Sequence, residues 1–167
     1  MKNYSKKTMG FTLVEVLVVV VLSGLAFMIF LQALNTAKMV RVKSELRTRQ
    51  SVLLNSLENL IRARKFDENE SSPWSSVESL GKDQNEITVS QFDDIDDFDQ
   101  YSVNSIDEYP GFGYNISVFY STPPENPNNK KIFDLSNSPT NYKSVAISVV
   151  HATLSSLNDT LIITPNL

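Results

Sequence analysis

Between Phe11 and Ala37 the chain runs for 27 residues with one charged side chain, Glu15. A helix rises about 1.5 Å per residue and the apolar core of a bilayer is about 30 Å thick, so about 20 apolar residues cross it. The run is long enough to span a membrane, with residues to spare. Lys2, Lys6 and Lys7 precede it, and Lys38, Arg41 and Lys43 follow it. A lone charge at mid-membrane costs about 2.5–3.5 kcal/mol on insertion scales, so Glu15 calls for a cationic partner. Two simpler readings compete. One is a plain signal anchor with an incidental glutamate. The other is a cleaved secretory signal, since Gly24-Leu25-Ala26 imitates a small-x-small site behind a basic start. Against the second, Glu15 interrupts the supposed apolar core, and the run continues through Phe27-Met28-Ile29-Phe30-Leu31.

The residues flanking Glu15 favour a third reading. Lys6-Lys7-Thr8-Met9-Gly10 followed by Phe11-Thr12-Leu13-Val14-Glu15-Val16-Leu17 resembles the processing site of type IV pilins and type II secretion pseudopilins. The resemblance covers about the first third of the chain. It implies that residues 1–10 are a leader, cut between Gly10 and Phe11 by a prepilin peptidase, with methylation of the new Phe11 amine. It assigns Glu15 as the acidic residue of assembly. It further implies an inner-membrane, single-pass protein with its head in the periplasm, later built into a pilus or pseudopilus with other subunits. The physical logic agrees. An α-amine freed at Phe11 is positive at neutral pH. In low dielectric it and the Glu15 of a neighbouring helix each offset part of the other's desolvation.

Two departures from the family's major pilins point to a minor pilin or pseudopilin. The chain has no cysteine for a disulfide-closed loop, and Gln32 stands in the region where a helix-kinking proline is common. The segment Phe92-Asp93-Asp94-Ile95-Asp96-Asp97-Phe98 also resembles one in minor pilins of the mannose-sensitive haemagglutinin type.

Charge divides the chain in two. Residues 1–65 carry a net +8 and residues 66–167 a net −12. The acidic half argues against nucleic acid as a partner of the head. The absence of cysteine excludes a disulfide framework, a thiolate metal site and a cysteine nucleophile.

Residues 11–65 contain no proline and read as one helix that would reach about 80 Å. The span covers residues 11–37. In the stem, residues 38–65, Met39, Val42, Leu46, Leu53, Leu57 and Leu60 form an apolar stripe. Over residues 46–61 that stripe is expected to cover the sheet of the head rather than a coiled-coil partner. Residues 66–167 form the head. Residues 66–85, with Pro73 and Gly81, read as a surface loop that Trp74 anchors. Residues 86–90 read as a short strand. Residues 112–121, 142–151 and 160–164 read as three further strands, joined in an antiparallel meander. The expected fold is α+β: a long N-terminal helix packed on a small antiparallel sheet.

Asp93, Asp94, Asp96, Asp97 and Asp99 place five carboxylates in seven residues. Hard oxygen ligands at this density suit Ca²⁺, although the spacing of an EF-hand loop is not met. A solvated acidic loop is the simpler reading, and no other cofactor is expected. No phosphate-binding glycine loop, nucleophile elbow or histidine pair is present, and the single histidine, His151, ends a strand. The chain therefore reads as a non-enzyme. The alternative to an assembly subunit is a single-span anchored domain that holds Ca²⁺ or a basic partner on the acidic loop.

Overall fold

The computed structural model describes residues 10–83, 86–125 and 133–165. The leader, apart from Gly10, lies outside the described residues. One helix, α1, spans Leu13–Arg62. Thr12 starts it: the Glu15 N–H donates to Thr12 Oγ1 at 3.3 Å, as an N-cap does. The chain divides into two compact units, Met1–Ser44 and Glu45–Leu167. In the first, every described residue is exposed and the helix is apolar enough to cross a membrane, with a mean hydropathy of 2.8 in its most apolar window.

The second unit contains the end of α1 and a five-stranded antiparallel sheet. Its strands are β1 (Ser102–Val103), β2 (Phe112–Thr122), β3 (Asp134–Leu135), β4 (Lys143–His151) and β5 (Leu154–Ile163). The order is β1-β2-β4-β5, and β3 pairs with the far end of β2. The fold is α+β, as expected from the sequence. β2 and β4 align Val118 with Val145 and Ile116 with Ile147, and Val145 also faces Leu161 of β5.

Side chains alternate across a strand, so these aligned pairs share the core face. The stem stripe meets them: Gln50, Leu53, Leu54, Leu57 and Ile61 are buried at helical spacing. Leu46 and Leu60 pack against the same core, while Met39 and Val42 of the first unit are exposed. Gln50 is a polar member of the buried face. Its Nε2 donates to Val149 O at 2.8 Å, and its Oε1 accepts from Arg47 at 2.7 Å.

Three expectations need correction. Residues 86–90 form no strand; the Ile87 and Thr88 N–H groups donate to Gln91 Oε1, and Ile87 is left 78% exposed. With these N–H groups turned to a local side chain, they are not offered to a ladder. β5 begins at Leu154, six residues before the expected 160–164, because it pairs along β4 from His151. The segment after α1 is not wholly superficial: Phe66 and Asp67 are buried. Trp74 does anchor it, edge-on to Phe66 at 5.0 Å and donating to Asn141 Oδ1 at 2.8 Å.

Candidate functional site

Two regions matter. The first is the start of α1. Gly10 has open space around it: a Cβ added there would meet nothing within 4 Å. Phe11 is 80% exposed, and Glu15 stands in the first helical turn, where the helix dipole favours a carboxylate. Gly10, Phe11 and Glu15 are thus exposed together at one helix end.

The second region is the acidic turn. It docks on the end of α1: Lys65 N–H donates to Asp93 O, and Ile95 N–H donates to Lys65 O. Phe92, Ile95 and Phe98 enter the core fully buried. Those three apolar residues pull the aspartates between them inward. Asp94, Asp96 and Asp97 are buried, so the segment is not the solvated loop that its composition suggests.

The five carboxylates do not converge on one point. Asp94 Oδ1 accepts from the Asp96 N–H at 2.7 Å, and Asp97 Oδ2 accepts from the Asp93 and Asp94 N–H groups. Asp99 Oδ1 accepts from the Val118 N–H at 2.8 Å, tying the turn to β2. Asp96 turns the other way, to Lys143. Only Asp93 and Asp97 gather, together with Glu86, with carboxylate oxygens within 4.8 Å of one another. Asp94, Asp96 and Asp99 are not part of that group. Glu86 itself has its pKa raised to about 7 by partial burial and by its hydrogen bond to Asp97.

Lys143 is the group that sequence reading missed. It opens β4 on the same face as Val145, Ile147 and Val149, and it is fully buried. Its Nζ donates to Phe66 O at 2.6 Å, to Asp67 Oδ2 at 2.9 Å and to Asp96 Oδ1. The ring centroids of Phe66 and Tyr120 lie 4.6 and 5.3 Å from Nζ. Tyr120, directly opposite Lys143 on β2, donates its hydroxyl to Asp67 Oδ2 and to Ser75 O. Three ammonium protons thus meet three acceptors inside an aromatic box.

The electrostatics follow from this packing. Burial pushes Asp94 up to about 8, helped by the charges of Asp96 and Asp97. Burial also raises Asp96, against the pull of Lys143. Burial works on Asp67 in the same direction, but hydrogen bonds from Lys143, the Asn69 N–H and Ser75 hold it below the ordinary carboxylate value. The Tyr120 hydroxyl is raised by burial and by neighbouring carboxylates. The period-two pattern of β4 could have flagged Lys143, since it extends the Val145-Ile147-Val149 series by one step.

Comparisons with protein-family models, curated proteins and solved structures find no match. What the molecule itself defines is an α+β chain whose long, apolar N-terminal helix could span a membrane.

Proposed function

We propose that the chain is a minor pilin or pseudopilin, a structural subunit cut by a prepilin peptidase and assembled into a fibre by helix packing. One observation carries the reading. Gly10-Phe11-Thr12-Leu13-Val14-Glu15 heads an exposed apolar helix that continues, without a break, into a stem whose later turns share the core of the head. An apolar surface of this extent needs a covering, first lipid and then other helices. The Phe11 amine, once freed, and Glu15 of a neighbour supply the register. The head sits in the periplasm and carries no catalytic role. The alternative, an anchored domain using the acidic turn for Ca²⁺ or a basic partner, has less to stand on. Asp94, Asp96 and Asp97 are turned inward, which leaves few carboxylates to present.

Mass spectrometry of the N-terminal peptide tests the reading. The mature chain should begin at methylated Phe11. Gly10→Val should accumulate as full-length precursor in the membrane, because a side chain at the cut obstructs the peptidase. An intact Met1 on the wild-type protein, or normal processing of Gly10→Val, would count against it.

A further inference from the structure

The aromatic box around Lys143 holds its amine nitrogen against the Asp96 carboxyl group. Lys143 Nζ hydrogen-bonds the Asp96 carboxyl, and both side chains are shielded, at 0% and 6% exposure. We propose that Lys143 and Asp96 become joined by an intramolecular isopeptide bond, a side-chain amide between Nζ and the Asp96 carboxyl carbon.

Three features of the site favour the bond. The partners are fixed by separate elements: Lys143 by the β4 ladder, Asp96 by the turn that Phe92, Ile95 and Phe98 bury. Holding reacting groups in contact replaces an improbable encounter with a local one. Water is excluded by Phe66 and Tyr120, which protects the amide and weakens the solvation of both charges. Finally, two more carboxyls touch the reacting pair. Asp67 Oδ2 accepts from Nζ at 2.9 Å, and Asp94 Oδ1 accepts from the Asp96 N–H at 2.7 Å, which holds Asp94 beside Asp96. The second oxygen of Asp94 is buried with no hydrogen-bond partner.

The step balances within the site. Asp67 takes a proton from the ammonium, and the Nζ lone pair attacks the Asp96 carboxyl carbon. A C–N bond forms and a C–O bond breaks. Asp94 and the attacking nitrogen each give a proton to the leaving oxygen, which departs as water. The proton on Asp67 then returns to Asp94. Nζ loses two of its three protons and keeps one as the amide N–H, and no oxidant or further reactant is needed. The bond closes a loop between residues 47 apart in sequence, as a disulfide would in a chain that has no cysteine. It spans β1, β2 and β3 and locks the acidic turn to the sheet.

The test is the mass of the full-length protein, purified in detergent, together with its tryptic map. The wild-type head should weigh one water less than its sequence. Residues 83–130 and 132–167 should travel as one branched species, since trypsin does not cut after an acylated lysine. Fragmentation should place the link at Lys143 and Asp96. Lys143→Arg and Asp96→Ala should each regain the full mass. The decisive measurement is on the wild type, so it does not depend on either variant folding. The branched tryptic species is also independent of how the N-terminus is processed. Wild type of full mass that is cut after Lys143, or a link from Lys143 to Asp67 instead, would overturn the proposal.

Discussion

Replacing Lys143 by Met shortens the side chain by one atom and removes its charge. The structure says what is left behind: the Asp67 and Asp96 carboxylates and the Phe66 carbonyl, all buried and all deprived of the same donor. Breaking a buried pair by deleting one partner costs about 3–5 kcal/mol, and with two carboxylates stranded the upper half of that range is expected. For a unit of this size such a loss lowers Tm by about 10–20 °C. The readout is urea or thermal unfolding of the head, followed by the fluorescence of Trp74, which packs on Phe66 at the edge of the site.

The deficit should also depend on pH, and its sign follows from the groups that face Lys143. Asp94 and Asp96 are raised in the folded protein, and Lys143 works against both shifts, so its loss lifts them further. A carboxyl with a raised folded pKa adds stability below its ordinary value and loses it as pH rises through the raised value. Asp67 is lowered, so in the wild type it adds stability above its ordinary value that is lost in acid; without Lys143 that contribution is gone. The Asp96 trend narrows the gap between wild type and variant on going from about pH 8 to about pH 5, and the Asp67 trend narrows it further only below the ordinary carboxylate value, about 4. This trend belongs to the ion pair; a Lys143–Asp96 amide takes both groups out of the titration of the wild type, so the trend is read on wild-type protein of full mass. Adding Asp67→Asn and Asp96→Asn to the variant should recover part of the loss. A deficit below about 1 kcal/mol, or one that does not shrink in acid, would refute the reasoning, since exposed ion pairs contribute no more than that.

Two further substitutions test the frame around the site. At Gly113 an added Cβ would lie 2.6 Å from Val103 O and 2.9 Å from Asn104 O, so Gly113→Ala must push β1 off β2. A loss of about 1–3 kcal/mol is expected on overpacking grounds, read as a lowered urea midpoint; an unchanged midpoint would show that β1 yields freely. Glu15→Val removes the one charge of the apolar run and lies in a different compact unit from the head core. It should be processed normally, keep the wild-type melting curve of the head, and be depleted from sheared or cross-linked fibres; undiminished incorporation would make Glu15 incidental.

Much of this fold was legible in the chain because its signals are periodic. The helical spacing of Leu46, Leu53, Leu57 and Leu60 and the strict alternation of Val145, Ile147 and Val149 name the two faces that meet in the core. Gln50 broke the helical pattern, since its burial depends on the Val149 carbonyl, a partner 99 residues away. The strand expected over residues 86–90 failed for the opposite reason. Its composition favours a strand, but Gln91 satisfies its N–H groups locally and no neighbouring strand competes for them.

The acidic turn misled because composition was read without its partner. Five aspartates in seven residues look like a hydrated loop or a cation site as long as their counter-charge is unknown. That counter-charge, Lys143, is the first residue of a strand whose next core-facing positions are valine and isoleucine. Read as a terminus, it is a solvated lysine; read as one more step of the alternation, it is a buried cation that must find anions. The chain has four lysines and arginines after residue 65, and among the described residues Lys143 is the one in phase with the core face of a strand. Burying an ammonium requires acceptors from elsewhere in the chain, and the only dense source of them is the turn of residues 93–99. Phe92, Ile95 and Phe98 then have a role that composition hides. They draw the turn inward until Asp96 meets Nζ, and the charge density that seemed to face water instead neutralises the cation that β4 buries.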